Sequence, residues 1–225
     1  MMARVAAAIV AARSESSTIE ETVTSLWLLP AVGRVVVMDD GSADDTAQRA
    51  AAAGAEVLRS AKGRGKGEAL DAALARVDVP FYLFVDADTG SRAEAAGPLL
   101  GAVVGGEADL AIGRLPPLGG GGFGLVKSMT GRLVNRACGF RAAEPMSGQR
   151  AATRQVLRAC RPLARGFGVD AAMTVDAVRL GFRVLEMDVD MSHRPTGRGL
   201  RGFAHRGRQG LDVLRAMVPR LVAAR

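Results

Sequence analysis

The sequence predicts an α/β fold, a mostly parallel Rossmann-like central sheet flanked by helices. Three observations carry that expectation. Short apolar segments recur through the first half of the chain without the alternation of a half-wet strand, as parallel strands covered on both faces require. Stretches with apolar residues at helical spacing separate them, so strand and helix alternate as in a doubly wound sheet. The chain has 225 residues, 48% of them hydrophobic, enough for one ample core and a single domain over 1–225.

Val5 to Ala11 reads as the first central strand. Ser17-Thr18-Ile19-Glu20 then has the form of a capping box, and Ile19, Val23 and Leu26 continue it at helical spacing. Pro30 stops that helix, and Arg34 to Met38 is the second strand, left through the turn Asp39-Asp40-Gly41-Ser42. Ser42 and Asp45 are candidate caps for a helix through Ala53, which Gly54 ends. Glu56 to Arg59 is a short strand, and the glycine-rich Lys62 to Gly67 opens a helix ending near Arg76. Phe81 to Val85 is another buried strand, and Asp109 to Gly113 a further one.

The later chain is less regular. Leu115 to Gly124, with two prolines and four consecutive glycines, is expected to be a mobile loop over the site. Arg183 to Met191 alternates: Leu185, Met187, Val189 and Met191 share one face, and Val184, Glu186, Asp188 and Asp190 the other. A strand with one wet face follows from that pattern. A basic amphipathic helix from about Arg206 to Leu221, kinked at Pro219, is expected to end the chain.

Composition narrows the function classes. No apolar run approaches the roughly 18 to 20 residues needed to span a bilayer, and Met1 to Ala12 lacks the basic region and cleavage pattern of a secretory signal. Cys138 and Cys160 give neither a disulfide framework nor a metal-ligand spacing, so a cytoplasmic location is the default. The net charge of +7 is concentrated at the end, where arginines recur from Arg194 to Arg225 and Asp212 is the only acidic residue. Such a tail suits phosphate on a small acceptor, a lipid surface or nucleic acid, and equally a solvated basic helix. With one Trp and one Tyr, the aromatic platforms of a single-strand nucleic-acid binder are scarce, and no nucleic-acid partner is expected.

In an open α/β sheet, ligands bind beyond the carboxyl ends of the strands. Four polar stations stand there: Arg13-Ser14-Glu15, Asp39-Asp40-Gly41-Ser42, the Lys62 to Gly67 loop, and Asp86-Ala87-Asp88-Thr89. Asp86 and Asp88, directly after an apolar strand, suit a hard divalent cation that also grips two phosphates. An isolated Asp-x-Asp is equally a turn or helix start, and the place after a buried strand favours the metal. Asp39 and Asp40 read either as a turn and cap or as acceptors for a base or ribose. The loop around Lys66 offers backbone N–H groups and positive charge to a diphosphate. It does not match the P-loop pattern, and no dinucleotide fingerprint follows the first strand.

Taken together these segments resemble the family 2 glycosyltransferases, which share the GT-A fold. The resemblance rests on Val36-Val37-Met38-Asp39-Asp40-Gly41-Ser42, Gly65-Lys66-Gly67-Glu68-Ala69-Leu70 and Phe84-Val85-Asp86-Ala87-Asp88-Thr89, which cover about the first half of the chain. The second half is similar to the glucosyl-3-phosphoglycerate synthases. Pro145-Met146-Ser147-Gly148-Gln149-Arg150 stands for their Pro-Leu-Ser-Gly-Glu, with Gln149 in place of Glu, and Gly166-Phe167-Gly168-Val169-Asp170 for their Gly-Tyr-Gly-Val-Glu. The chain is shorter than those synthases, and Ser14 occupies the place of the Asn usual before Glu15.

The resemblance implies a metal-dependent transfer of sugar from a nucleotide-diphosphate sugar to a small, phosphorylated or otherwise anionic acceptor. Residues 1–113 would bind the donor, 114–200 the acceptor and metal, and 201–225 would form the basic helix. Ala12, Arg13, Glu15, Asp39, Asp40, Lys66, Asp86, Ala87 and Gly148 are the expected donor contacts. Asp88 and His193 are the expected ligands of Mg2+ or Mn2+, Arg194 and Arg198 the acceptor contacts, and Asp170 and Asp88 the catalytic pair. Asp170 touches the transferred sugar or the acceptor, and serves as general base if the reaction inverts; retention needs no enzyme nucleophile. A homodimer, and peripheral contact with the inner membrane face, are compatible with this reading. The alternatives are a polyprenyl-phosphate glycosyltransferase whose last helix lies on the membrane, a sugar-phosphate nucleotidyltransferase, and a non-catalytic nucleotide-binding module.

Overall fold

The computed structural model describes residues 3–60, 63–116, 123–191 and 200–222, with side chains at all of these except 123–125 and 200–208. In chain order the first elements are β1 (Ala6–Ala12), α1 (Ile19–Leu26), β2 (Val32–Asp39), α2 (Thr46–Ala52), β3 (Glu56–Arg59), α3 (Lys66–Leu74) and β4 (Phe81–Asp86). A kinked 3-10 segment, Ala87–Ala96, leads into α4 (Gly97–Val104) and β5 (Leu110–Arg114). Then come α5 (Phe123–Cys138), β6 (Arg150–Thr153), α6 (Arg154–Cys160), a 3-10 turn at Gly166–Gly168, α7 (Val169–Arg179), β7 (Val184–Asp188) and α8 (Leu200–Val222).

The strands form one sheet in the order β3-β2-β1-β4-β6-β5-β7. All pairings are parallel except those of β6, which runs antiparallel to both β4 and β5. Alternate residues of β1 explain why its sequence shows no polar side. Ala8 and Val10 join α1 and α4 through Ile19, Val23, Leu26, Leu99 and Val103 on one face. Ala7 and Ile9 meet Leu70, Ala73, Val156 and Met173 on the other. Both sides are dry, so both must be apolar.

A third apolar cluster lies away from the sheet. Ala171 and Val175 of α7 pack with Val134 and Ala137 of α5 and Val213 and Met217 of α8. Arg179, in the last turn of α7, donates to the Ala137 carbonyl at 2.7 Å and also to the Arg220 carbonyl, and Arg220 bonds Asp176 at 2.7 Å. These bonds satisfy helix-end carbonyls that otherwise lack partners.

Several expectations need correction. The capping box does not form: Thr18, not Ser17, is the N-cap of α1, and no side chain caps it. Asp45 is the N-cap of α2 but its side chain makes no capping bond; the carboxylate of Asp44 instead accepts from the Thr46 hydroxyl at 2.5 Å and from the Thr46 N–H at 3.2 Å. Phe123 and Gly124, expected in the loop over the site, already belong to α5, while 117–122 lie outside the described residues. The alternating strand is shorter than its pattern and stands at the sheet edge as β7. There Leu185 is exposed, while Val189 and Met191 are buried just beyond the strand. The last helix begins at Leu200 and runs on through Pro219 to Val222. Antiparallel β6 was not anticipated, since four residues carry no readable period.

Candidate active site

The polar stations converge at the carboxyl edge of the parallel strands. Register places Ala11 of β1 opposite both Met38 of β2 and Asp86 of β4, and Ala12 opposite Asp39. The three strand exits therefore lie side by side. Ala12 is buried, and its carbonyl accepts from the Asp40 N–H at 2.9 Å. The loop after β1 is tied to the loop after β2, because Ser14 N–H donates to the Ser42 hydroxyl and Glu15 N–H to the Thr46 hydroxyl, each at 2.9 Å. Ser14 sits at φ 58, an uncommon conformation for a residue with a side chain.

Asp39 and Asp40 hold the loops. Asp39 is fully buried, and its oxygens accept from Ser42 N–H at 2.9 Å and Arg59 Nε at 3.0 Å. Asp40 accepts from the N–H groups of Arg64 and Gly65 at 2.8 and 2.9 Å. Gly65 is the N-cap of α3 at φ 112, where a Cβ would strain the backbone. The exposed Arg13 guanidinium reaches to within 2.5 Å of where a Cβ on Gly63 would sit. Arg13 and the 63–65 loop thus lie against each other. Lys62 lies outside the described residues.

Lys66, the first residue of α3, is the centre of the charge network. Its ammonium lies 2.9 Å from Asp86 Oδ1 and 3.2 Å from Asp170 Oδ2. Burial opposes the Lys66 charge, yet Asp170 and then Asp86 outweigh it and raise its pKa above the ordinary 10.5. Burial pushes the Asp170 carboxyl above its ordinary 3.8, against the pull of Lys66 and Arg150. Arg150, with 1% of its side chain exposed, stands 3.7 Å from Asp170 on the other side. Two cations thus face two carboxylates, the balance that lets such charges leave water.

Gly148 makes this packing feasible. A Cβ there would lie 2.4 Å from Asp86 Oδ1 and 2.5 Å from Lys66 Nζ, and no side chain fits without parting the pair. The next residue, Gln149, donates Nε2 to Asp86 Oδ2 at 3.0 Å and accepts the Asp86 N–H at 3.3 Å. Ala87 is buried and Asp88 half-buried at the start of the 3-10 segment. Thr22 of α1 fixes that segment, donating to the Ala87 carbonyl at 3.0 Å and accepting the Gly90 N–H at 2.8 Å.

Of the expected site residues, the structure brings Lys66, Asp86, Gly148 and Asp170 into contact and sets Ala12, Arg13, Glu15, Asp39, Asp40, Ala87 and Asp88 along the same edge. His193, Arg194 and Arg198 lie outside the described residues, among which no group of three or more His, Cys, Asp or Glu gathers as a metal site. Asp88, half-buried two residues after Asp86, offers a hard oxygen donor, a donor type that fits Mg2+ or Mn2+. Sequence reasoning missed Thr22, Gln149 and Arg150 as parts of the site's framework. A signal existed for Thr22, a polar residue on the buried Ile19 face. Arg150 is a charge set immediately before the apolar Ala151-Ala152, and it bonds the Ser147 carbonyl at 2.7 Å and the Thr174 hydroxyl at 2.9 Å.

Comparison with known proteins matches residues 7–159 to the model of glycosyl transferase family 2. The glucosyl-3-phosphoglycerate synthase of Mycobacterium tuberculosis is 30% identical over 98% of this chain and 72% of its own length. The glycosyltransferase AglJ of Haloferax volcanii is 27% identical over 82% of this chain. The match spans only 62% of the AglJ length. Among solved structures, the M. tuberculosis synthase with phosphoglyceric acid superposes with a TM-score of 0.82 at 28% identity, covering 97% of this chain and 80% of that one. The same enzyme with Mn2+, uridine-diphosphate-glucose and phosphoglyceric acid gives 0.82 at 27% identity, with the same coverage.

Proposed function

The chain belongs to glycosyl transferase family 2 and is a glycosyltransferase, and from that premise we propose that it moves a sugar from a uridine-diphosphate sugar to a small phosphorylated acceptor, with Mg2+ or Mn2+ bound. The observation that carries this reading is the Lys66 ammonium held between Asp86 and Asp170 at the strand exits. The similar synthase binds uridine-diphosphate-glucose, phosphoglyceric acid and Mn2+, or Mg2+ with uridine diphosphate, which supports the donor and acceptor classes.

In this reading residues 1–113 bind the donor. Arg13 and Glu15 flank the nucleoside, while Asp39 and Asp40 set the loops that receive it. The N–H groups at the start of α3 and the Lys66 charge face the diphosphate, with Ala12, Ala87 and Gly148 forming the floor. Lys66 keeps its proton throughout, so it acts as a fixed positive charge where the leaving phosphate gains negative charge. Asp88, with His193, would hold the metal, which supplies further positive charge to the departing diphosphate. Asp170, oriented by Lys66 and Arg150, accepts hydrogen bonds from a hydroxyl of the transferred sugar or the acceptor, and Arg194 and Arg198 receive the acceptor's anionic group.

The test is thermal stability against nucleotide diphosphates and nucleotide sugars, each with and without Mn2+, in wild type and Asp88→Ala. The expected result is a metal-dependent rise with one donor, about 2.7 kcal/mol at a hundredfold excess over Kd, lost in Asp88→Ala. No rise with any nucleotide sugar would overturn the proposal and favour the nucleotidyltransferase or the non-catalytic binding module.

A further inference from the structure

Of the seven large hydrophobic side chains that stand exposed among the described residues, four lie on α8: Leu211 at 54%, Leu214 at 38%, Val218 at 54% and Val222 at 70%. Their spacing of three, four and four residues is that of one helix face. The opposite face is spent on the fold, because Val213, Ala216 and Met217 are buried against α5 and α7. Single exposed apolar side chains are ordinary, but four aligned along one outer helix face form a contiguous patch of the kind that marks an interaction surface.

The charges around the stripe say what that cover is. Arg215, 78% exposed, stands within it, 3.8 Å from the carboxylate of Asp212 in a loose pair that leaves most of the guanidinium open to solvent. The helix sequence also carries Arg201, Arg206 and Arg208, while Arg220 is turned onto Asp176, and its one acidic residue is Asp212. Asp212 is turned inward, 15% exposed, accepting the Phe167 N–H at 3.2 Å. Two copies of this face pressed together would set arginine against arginine, which disfavours self-association. An apolar stripe in a basic helix is instead complementary to a bilayer surface with anionic headgroups.

We propose that the outer face of α8 docks on an anionic membrane surface, with Leu211, Leu214, Val218 and Val222 inserted among the acyl chains near the headgroups and Arg215 against phosphate. No helix is long and apolar enough to cross a membrane among the described residues, so the contact is one of lying on the surface. Through Asp212 and Phe167 the docking helix is joined to the segment that leads into Asp170, so the face and the catalytic edge share one framework. The inference stands whether the acceptor is a water-soluble phosphate ester or a lipid phosphate.

The experiment is co-sedimentation of the full chain with vesicles of phosphatidylcholine alone and of phosphatidylcholine mixed with phosphatidylglycerol, at low and high salt. Wild type should sediment with the anionic vesicles and be released by salt. Leu211→Ser/Val218→Ser, at two half-exposed positions outside the proposed active site, should lower that partitioning by about tenfold. The same variant should keep wild-type thermal stability and nucleotide binding, which separates lost docking from lost folding. Wild type remaining in the supernatant, equal binding to neutral vesicles, or unchanged binding of the double variant would each overturn the proposal. So would a dimer in light scattering that the double variant abolishes, since the stripe would then be covered by a second copy.

Discussion

Replacing Lys66 by Met removes the one ammonium that bridges Asp86 and Asp170. Removing one partner of a buried ion pair costs about 3–5 kcal/mol, because the other charge is left without compensation. Two features of this site lower that figure. Arg150 remains 3.7 Å from Asp170, and Asp86 keeps 37% of its side chain exposed, so water can replace part of the lost interaction. The expected loss is therefore about 2–3 kcal/mol, or a fall of roughly 4–12 °C in Tm for a chain of this size. The pH dependence has a definite sign. In the variant the Asp170 carboxyl, already raised by burial, loses a neighbouring cation and rises further. A folded-state pKa above the unfolded value contributes stability that is present below the unfolded pKa and lost as pH rises through the folded one. The difference between wild type and variant should thus shrink as pH is lowered from about 8 to about 5 in thermal or urea unfolding. Adding Asp170→Asn to Lys66→Met should recover part of the loss by removing the stranded charge. A difference that is the same at both pH values and is not recovered by Asp170→Asn would refute the reasoning.

Gly148→Ala places a Cβ 2.4 Å from the Asp86 carboxylate; it should cost about 1–3 kcal/mol of stability and weaken nucleotide-sugar binding, both read in one thermal-shift series. Thr22→Val keeps the shape of a fully buried side chain but strands the Gly90 N–H and the Ala87 carbonyl, so urea unfolding should show a loss of about 1–3 kcal/mol. Cys160, whose thiol burial raises from the ordinary 9.0 to about 12, should resist iodoacetamide in the native protein and react once unfolded. By the same linkage its contribution to stability is present below pH 9.0 and is lost as pH rises toward 12.

The half of the sheet built from β1 to β4 was legible because its strands are dry on both faces, so runs such as Val35-Val36-Val37 and Tyr82-Leu83-Phe84-Val85 have no polar alternation to confuse them with loops. Lys66 and Asp86 were legible as site residues for a related reason: each follows or faces the exit of such a strand. Asp170 was not. It meets Lys66 across 104 positions of sequence, and only the resemblance of Gly166-Phe167-Gly168-Val169-Asp170 to a known segment drew attention to it. Strand β6 was hidden because Arg150–Thr153 becomes a strand through its partners rather than through its own residues. Helix α4, Gly-Pro-Leu-Leu-Gly-Ala-Val-Val, escaped notice because an apolar run of that length has no readable period.

The reversed direction of β6 has a consequence for how the molecule assembles. Strands β1 to β4 pair in parallel through connections made within the first 86 residues, so that half can take shape early as the chain emerges from the ribosome. Strand β5 follows in sequence but has no partner there until β6 arrives to lie between it and β4. Until then β4 presents an open edge, Phe81 to Phe84, of the kind that invites pairing with other chains. The strand that closes this edge also delivers Gly148 and Gln149 to Asp86, so the closing of the β4 edge and the completion of the active edge are one event.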